Sequence, residues 1–241
     1  MPKTKSYLKV PSFQAMHLTD ERQSLADNVY WTLCDQIVGL VLKPSSAISE
    51  KLISEEMGVS RTPVREALAR LASHHLVDIY PQRGTFIAPL RQPDLERSQF
   101  MREALETALV TRVTKLPDCT ELITKLRTEV ELQRTFARIS DLPRFYQSDE
   151  DFHRLIATYA GLPGLWLEIQ RSKLHMDRCR HLALASVEKD FGIITLQHIA
   201  IIDAIEAGDA AVACDTMRHH LRRIFNTVNQ IMELHPHYFD K

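Results

Sequence analysis

The stretch GVSRTPVREALARLASHHLV, residues 58–77, decides the fold. Gly58-Val59-Ser60 has the composition of a tight turn, and a helix follows with Val64, Ala67, Leu68 and Leu71 spaced along one inward face. Pro63 fits the first turn of that helix, where amide hydrogens have no helical partner to lose. The same turn carries Ser60, Arg61, Thr62 and Arg65, side chains suited to phosphates and base edges. A purely structural helix more often begins with acids, which complement the positive end of its dipole. Arg61 at this place costs a little stability and so points to another use.

Working outward, the upstream residues predict a helix over Gln23–Leu40, with Leu25, Val29, Leu33 and Ile37 at four-residue intervals. A second helix starts at Ser49, a good N-cap residue, and runs through Leu52 and Ile53 to Met57. Downstream, Val77–Tyr80 and Thr85–Ala88 have strand character and are joined by Pro81-Gln82-Arg83-Gly84, where glycine can take a positive φ. Three helices and a hairpin in this order are a winged helix-turn-helix; the plain alternative is a small α+β core with no ligand. The formal net charge of −1 does not mark a nucleic-acid binder, but from Gly58 to Arg91 five arginines face two acids, a net charge of +3.

The pair Pro89 and Pro93, in APLRQPDL, marks a linker. The expected organisation is an N-terminal arm (1–22), a winged helix-turn-helix (23–88), a linker (89–94), an all-α helical bundle (95–235) and a C-terminal tail (236–241), a mostly α protein throughout. Within the bundle, helices are predicted over Leu95–Leu116, Cys119–Ile139, Leu142–Ala160, Pro163–Ala183, Ile194–Ala207 and Asp209–Leu234, with no Gly-rich phosphate loop among them. No apolar run has the length to cross a bilayer, and the first residues lack the apolar stretch of a secretory signal, so no membrane partner is expected. The four cysteines are scattered without a Cys-x-x-Cys pair, which suits a reduced, cytoplasmic setting.

Four residues of the second half stand out. Asp149 and His153 are four apart, on one helix face. His198 shares an apolar stripe with Ile194, Ile202 and Ile205, and His220 shares one with Ala213, Met217, Ile224 and Val228. A lone histidine on such a stripe is more often a hydrogen-bonded core residue than a ligand. Three of them, with a carboxylate one turn from the first, form a suitable set for zinc, nickel, manganese or a similar divalent ion. His219, among Asp215, Thr216, Arg222 and Arg223, is expected to face water.

The segment at 58–77, followed by QRGTFIAP (82–89), closely resembles the GntR family of bacterial regulators. The resemblance implies a recognition helix over about Arg61–Leu71 in the major groove of double-stranded DNA. Arg61, Thr62 and Arg65 would contact bases or nearby phosphates, Ser60 and Lys51 would hold the backbone, and Arg83 with Gly84 would form the wing tip. It further implies a homodimer on an inverted-repeat operator. SDEDFHRLI (148–156), QHIAIIDAIEAGD (197–209) and TMRHHL (216–221) look like the FCD ligand-binding domain of the FadR-type branch. In its metal-containing members an Asp-x-x-x-His pair and two later histidines hold one ion, and Asp149, His153, His198 and His220 fill all four positions.

Four protein donors leave coordination open for a small carboxylate effector. Arg102, in FMREALETAL, stands where related sensors place an arginine toward the pocket; its alternative is an i,i+4 salt bridge with Glu106 on a solvated helix face. Arg178 and Arg180 are further candidates for an anion. The expected function is a DNA-binding regulator, a repressor relieved by an organic acid. The alternatives are a metal-dependent enzyme fused to a DNA-binding domain, and a regulator whose ion is structural and whose effector is apolar or acyl.

Overall fold

The computed structural model describes residues 24–186 and 191–240; the expected N-terminal arm lies outside them. Helix α1 (Leu25–Val38) begins at Ser24, whose hydroxyl accepts from the Asp27 amide while the Asp27 carboxylate accepts from the Ser24 amide. This reciprocal capping box satisfies donors that a first helical turn otherwise leaves open. Val29, Leu33 and Ile37 are buried as expected, but Leu25 is exposed. Four-residue steps drift about 40° each around a helix, so over three steps Leu25 has left the stripe that Ile37 occupies. Helices α2 (Glu50–Met57) and α3 (Arg61–Ser73) complete the trihelical core. Val64, Ala67, Leu68 and Leu71 of α3 are all buried there, against Tyr30, Leu33 and Ile53.

Gly58 closes α2 with φ +65, a left-handed conformation natural to glycine, and nothing lies within 4 Å of where a Cβ would stand. Gly58→Ala therefore meets no clash and loses only backbone conformational energy, about 1 kcal/mol. The expected result is a lower urea midpoint with an unchanged slope.

The wing is a three-stranded antiparallel sheet in the order β1-β3-β2, formed by β1 (Ala47–Ile48), β2 (Val77–Tyr80) and β3 (Gly84–Ile87). Tyr80 pairs with Gly84, and Gln82 (φ +61) and Gly84 (φ +106) turn the chain between them. β1 was not visible in the sequence, because two residues are too few to show an alternation.

Beyond the wing the described chain is helical: α4 (Gln92–Val113), α5 (Thr120–Arg138), α6 (Leu142–Tyr159), α7 (Leu165–Ser172), α8 (Leu174–Ser186), α9 (Phe191–Glu206), α10 (Ala210–Arg222) and α11 (Ile224–Leu234). Two predicted helices are each divided, at Lys173 and at Arg223. At Arg223 the backbone closes a tighter turn, its amide bonding to His220 O, with no glycine or proline to announce it. α4 starts at Gln92, earlier than expected, since Pro93 falls in a first turn and needs no donor. Leu109, Leu126, Phe152, Ile202 and Met217 share one core with their neighbours on α4, α5, α6, α9 and α10.

The two halves meet along α8. His175 Nε2 lies 2.9 Å from the His74 carbonyl, and Arg178 Nη2 donates to Ala88 O at 2.6 Å. The linker is strapped from the other side. Leu90 donates to Tyr238 O and accepts from the Asp240 amide, while Arg91 pairs with both Asp78 of β2 and Asp240. No described helix is long and apolar enough to cross a membrane.

Candidate metal centre and nucleic-acid interface

Ser60 caps α3, yet its hydroxyl makes no capping bond and no acid occupies the first turn. The hydroxyl and the first amides of the helix are left facing outward, a ready place for a phosphate. Ser60, Arg61, Thr62 and Arg65 are all exposed. Arg65 lies one turn beyond Arg61, and its Nε donates to Glu50 Oε2 at 2.9 Å. Lys51 is exposed on α2, 3.8 Å from Glu55. Arg83 is exposed at the tip between β2 and β3, its guanidinium 5.4 Å from the centre of the Tyr80 ring, with Gly84 beside it. The other two arginines of the positively charged stretch are structural. Arg70 donates to Asp27 at 2.6 Å and lies over the Tyr30 ring, and Arg91 is spent on the linker. The outward positive charge is thus narrower than the sequence count implied.

The second site is buried. Asp149 and His153 come from α6, His198 from α9 and His220 from α10, and one donor atom from each lies within 4.8 Å of all the others. Nε2 of His220 is 3.3 Å from Nε2 of both His198 and His153, and Nε2 of His198 is 3.5 Å from Asp149 Oδ1. Ligands about 2.1 Å from a common centre at tetrahedral angles stand about 3.4 Å apart.

The opposite nitrogen of each ring faces an oxygen from a neighbouring helix, in hydrogen-bond geometry for His198 and His220 and as a close ion-pair contact for His153. His153 Nδ1 lies 2.5 Å from Glu106 Oε2, His198 Nδ1 is 2.8 Å from Gln133 Oε1, and His220 Nδ1 is 3.1 Å from Gln197 Oε1. An oxygen beside each Nδ1 favours the proton there, which leaves the lone pair of the neutral ring on Nε2. Three lone pairs and a carboxylate converging on one point repel one another unless a cation stands between them. The residues therefore fit a divalent ion.

The electrostatics point the same way. Burial pushes the His198 pKa down to about 3 and the His220 pKa well below its ordinary value, so both rings are neutral at pH 7, the form a metal requires. Burial pushes the Asp149 carboxyl up, but the nearby charges of Arg180, His153, His198 and Arg102 together outweigh it and the net is downward. Glu106 is likewise raised by burial and lowered further by Arg102 and His153, leaving it ionised behind the histidine. The ring of Phe152 stacks on His198, centroids 4.0 Å apart, fixing its plane.

The cluster lies at the edge of an open cavity of about 530 Å³ whose walls include Arg102, Asp149, Arg180, Gln197 and His220. His219 is exposed and reaches only its lining, as expected. Arg102 Nε donates to Glu106 at 2.5 Å, so the i,i+4 pair exists, but both members are buried rather than on a solvated face. Arg102 Nη2 is buried and has no hydrogen-bond partner among the described residues. Arg180 Nη1 stands 3.5–3.7 Å from Glu150, Asp149 and Asp177, three loose contacts rather than one tight pair. Arg178 does not join this group: it is fully buried at the junction with the linker, where burial lowers its pKa to about 10. Two residues along a helix is a rotation of about 200°, so Arg178 and Arg180 face opposite ways. Glu106, Gln133 and Gln197 were missed in the sequence, since acceptors behind a ligand come from other helices at no fixed spacing.

Residues 25–87 match the gntR family of bacterial regulatory proteins and residues 99–223 match the FCD domain. The chain belongs to this family of transcription regulators, and the metal-dependent enzyme considered from the sequence is set aside with that assignment. It is 33% identical, over 93% of both chains, to an HTH-type transcriptional regulator in an unstable DNA locus of Streptomyces ambofaciens. It is 28% identical to the HTH-type transcriptional repressor RspR of Escherichia coli K12, over 91% of this chain and 95% of that one. Among solved structures, E. coli McbR/YncC matches in fold with a TM-score of 0.70 at 20% identity, covering 86% of this chain and 98% of that one.

Proposed function

We propose that this protein is a homodimeric repressor that releases an inverted-repeat operator when a small organic acid occupies the cavity beside the Asp149, His153, His198 and His220 centre. Residues 23–88 are the reading unit, 89–94 the linker, whose last three residues already belong to α4, and 95–235 the sensing unit. The observation that carries the reading is the joining of a four-donor cluster to an open cavity with cationic walls. A bound zinc, nickel or manganese ion supplies a Lewis-acidic positive charge there. Arg102 contributes the unpartnered Nη2, and Arg180, loosely held by three acids, can turn toward an incoming carboxylate. In the reading unit, Arg61, Thr62 and Arg65 address base edges, Ser60 and Lys51 the phosphates, and Arg83 with Gly84 the adjacent minor groove. Half-sites are about 34–36 Å apart, so a shift of a few ångströms between the two reading heads spoils joint binding. The acid acts only through a difference in its affinity for the two arrangements.

The test is a mobility-shift titration on a duplex selected from a randomised inverted-repeat pool, with a panel of sugar acids and hydroxy acids. At least one acid is expected to weaken operator binding more than tenfold in metal-loaded protein and to do nothing after chelation. Release by acyl or apolar ligands alone, indifferent to chelation, would replace this reading with that of a structural ion.

A further inference from the structure

We infer that Glu50 is a positioning residue for base recognition: its carboxylate holds the Nε edge of Arg65 and so presents the two Nη groups of that arginine to a guanine. The inference rests on Arg65 being a base reader. Glu50 is the first residue of α2, and its Oε2 reaches across to Arg65 Nε on α3 at 2.9 Å. The dipole of α2 explains why an acid is tolerated there, but not why it bridges to the neighbouring helix. The arginine is 64% exposed and the glutamate 36%, so little of the pair's effect can lie in stability.

Its effect on the shape of the arginine is larger. A guanidinium offers a side edge, which uses Nε, and an end edge, which uses both Nη groups. With Nε taken, only the end edge remains whole, and that edge matches O6 and N7 of guanine. A carboxylate on the reading face also repels phosphates, which weakens attachment to every sequence alike. Glu50 therefore trades general affinity for discrimination, a repulsive element that the correct base alone offsets.

Full-length metal-loaded protein is titrated by fluorescence anisotropy against the selected duplex, its single-base-pair variants and a scrambled duplex. For Glu50→Ala the operator-to-scrambled affinity ratio is expected to fall about tenfold, with the loss confined to one base pair per half-site. Affinity for scrambled DNA should rise about threefold. Glu50→Gln keeps an acceptor for Nε, so it should restore the base preference while sharing the rise on scrambled DNA. It also serves should the alanine variant fold poorly. In an Arg65→Ala background, Glu50→Ala should remove no further discrimination. If Glu50→Ala instead tightens operator and scrambled DNA equally, Glu50 merely masks Arg65 and the inference is overturned. An unchanged base preference in Arg65→Ala itself sinks the assignment of Arg65, and this inference with it. A changed preference in Arg65→Ala beside an unchanged one in Glu50→Ala overturns the inference alone.

Discussion

Stripping the divalent ion from the protein by chelation is expected to lower its melting temperature by about 8–16 °C. An ion present at a thousand times its dissociation constant stabilises the folded state by about 4 kcal/mol. For a chain of this size each kcal/mol moves the midpoint by about 2–4 °C. His153→Ala, which removes one of the four donors, should abolish the difference between loaded and chelated protein. The pH dependence follows from burial. His198 titrates at about 3 in the folded chain and His220 also well below its ordinary value, whereas both take up protons near pH 6.5 once unfolded. Between those limits the unfolded state binds more protons, so stability is intact above about pH 6.5 and is lost as pH falls. The slope approaches about 1.4 kcal/mol per pH unit for each of the two rings. Asp149 and Glu106, both held below the usual carboxylate range, act in the same direction at lower pH. Protons also compete with the ion for Nε2, so loaded and chelated melting curves should converge toward acid. Differential scanning calorimetry from pH 8 to pH 5, with and without chelator, checks both statements. Identical curves at pH 8 would remove the ion from the account.

The winged helix-turn-helix was legible because its information is local. Ser60 to Leu71 holds a cap, a first turn and an inward face within one short segment, and each reports on its own backbone. The four donors were legible for a related reason: Asp149 and His153 share one face of α6, and each later histidine interrupts an otherwise apolar stripe. What the sequence could not show is how those stripes meet. Glu106 looked like one half of a surface pair until α6 and α10 covered α4, and nothing in its neighbours records the ring of His153 behind it. Arg178 and Arg180 are nearly equivalent as text, but α8 lies between two partners and gives one arginine to each. Helices end at Lys173, whose amide still makes an ordinary helical bond to Ile169 O, and at Arg223, through a tighter turn to His220 O, without a glycine or proline that marks either place. Charge counting overstated the outward charge for the same reason: Arg70 is paired with Asp27 and Arg91 is shared with Asp240, both far outside the counted stretch.

Loss of Arg61 or Arg65 to alanine is expected to weaken binding to the selected operator by about 1–3 kcal/mol, or about 5–150-fold, if each guanidinium reads one base in the major groove. Both side chains project from the exposed face of α3, where the fold gains little from them. Arg61 occupies the positive end of the helix dipole, so its removal should leave the melting temperature unchanged or slightly raised. A drop in operator affinity without a drop in stability separates recognition from folding. Lys51→Ala supplies the contrast. A lysine that meets only phosphate should weaken operator and scrambled duplex by the same factor and reduce the salt slope by about one ion. The arginine variants should instead lose preference at a defined base pair in each half-site and keep most of their affinity for scrambled DNA. Anisotropy titrations at several salt concentrations, with the wild type and the three variants, read out both quantities together. If Arg61→Ala and Arg65→Ala behave like Lys51→Ala, the first turn of α3 grips the backbone and the bases are read from elsewhere, with Arg83 at the wing tip the next residue to test. If neither variant changes binding to any duplex, α3 is not the recognition helix and the exposed arginines of its first turn have no part in the interface.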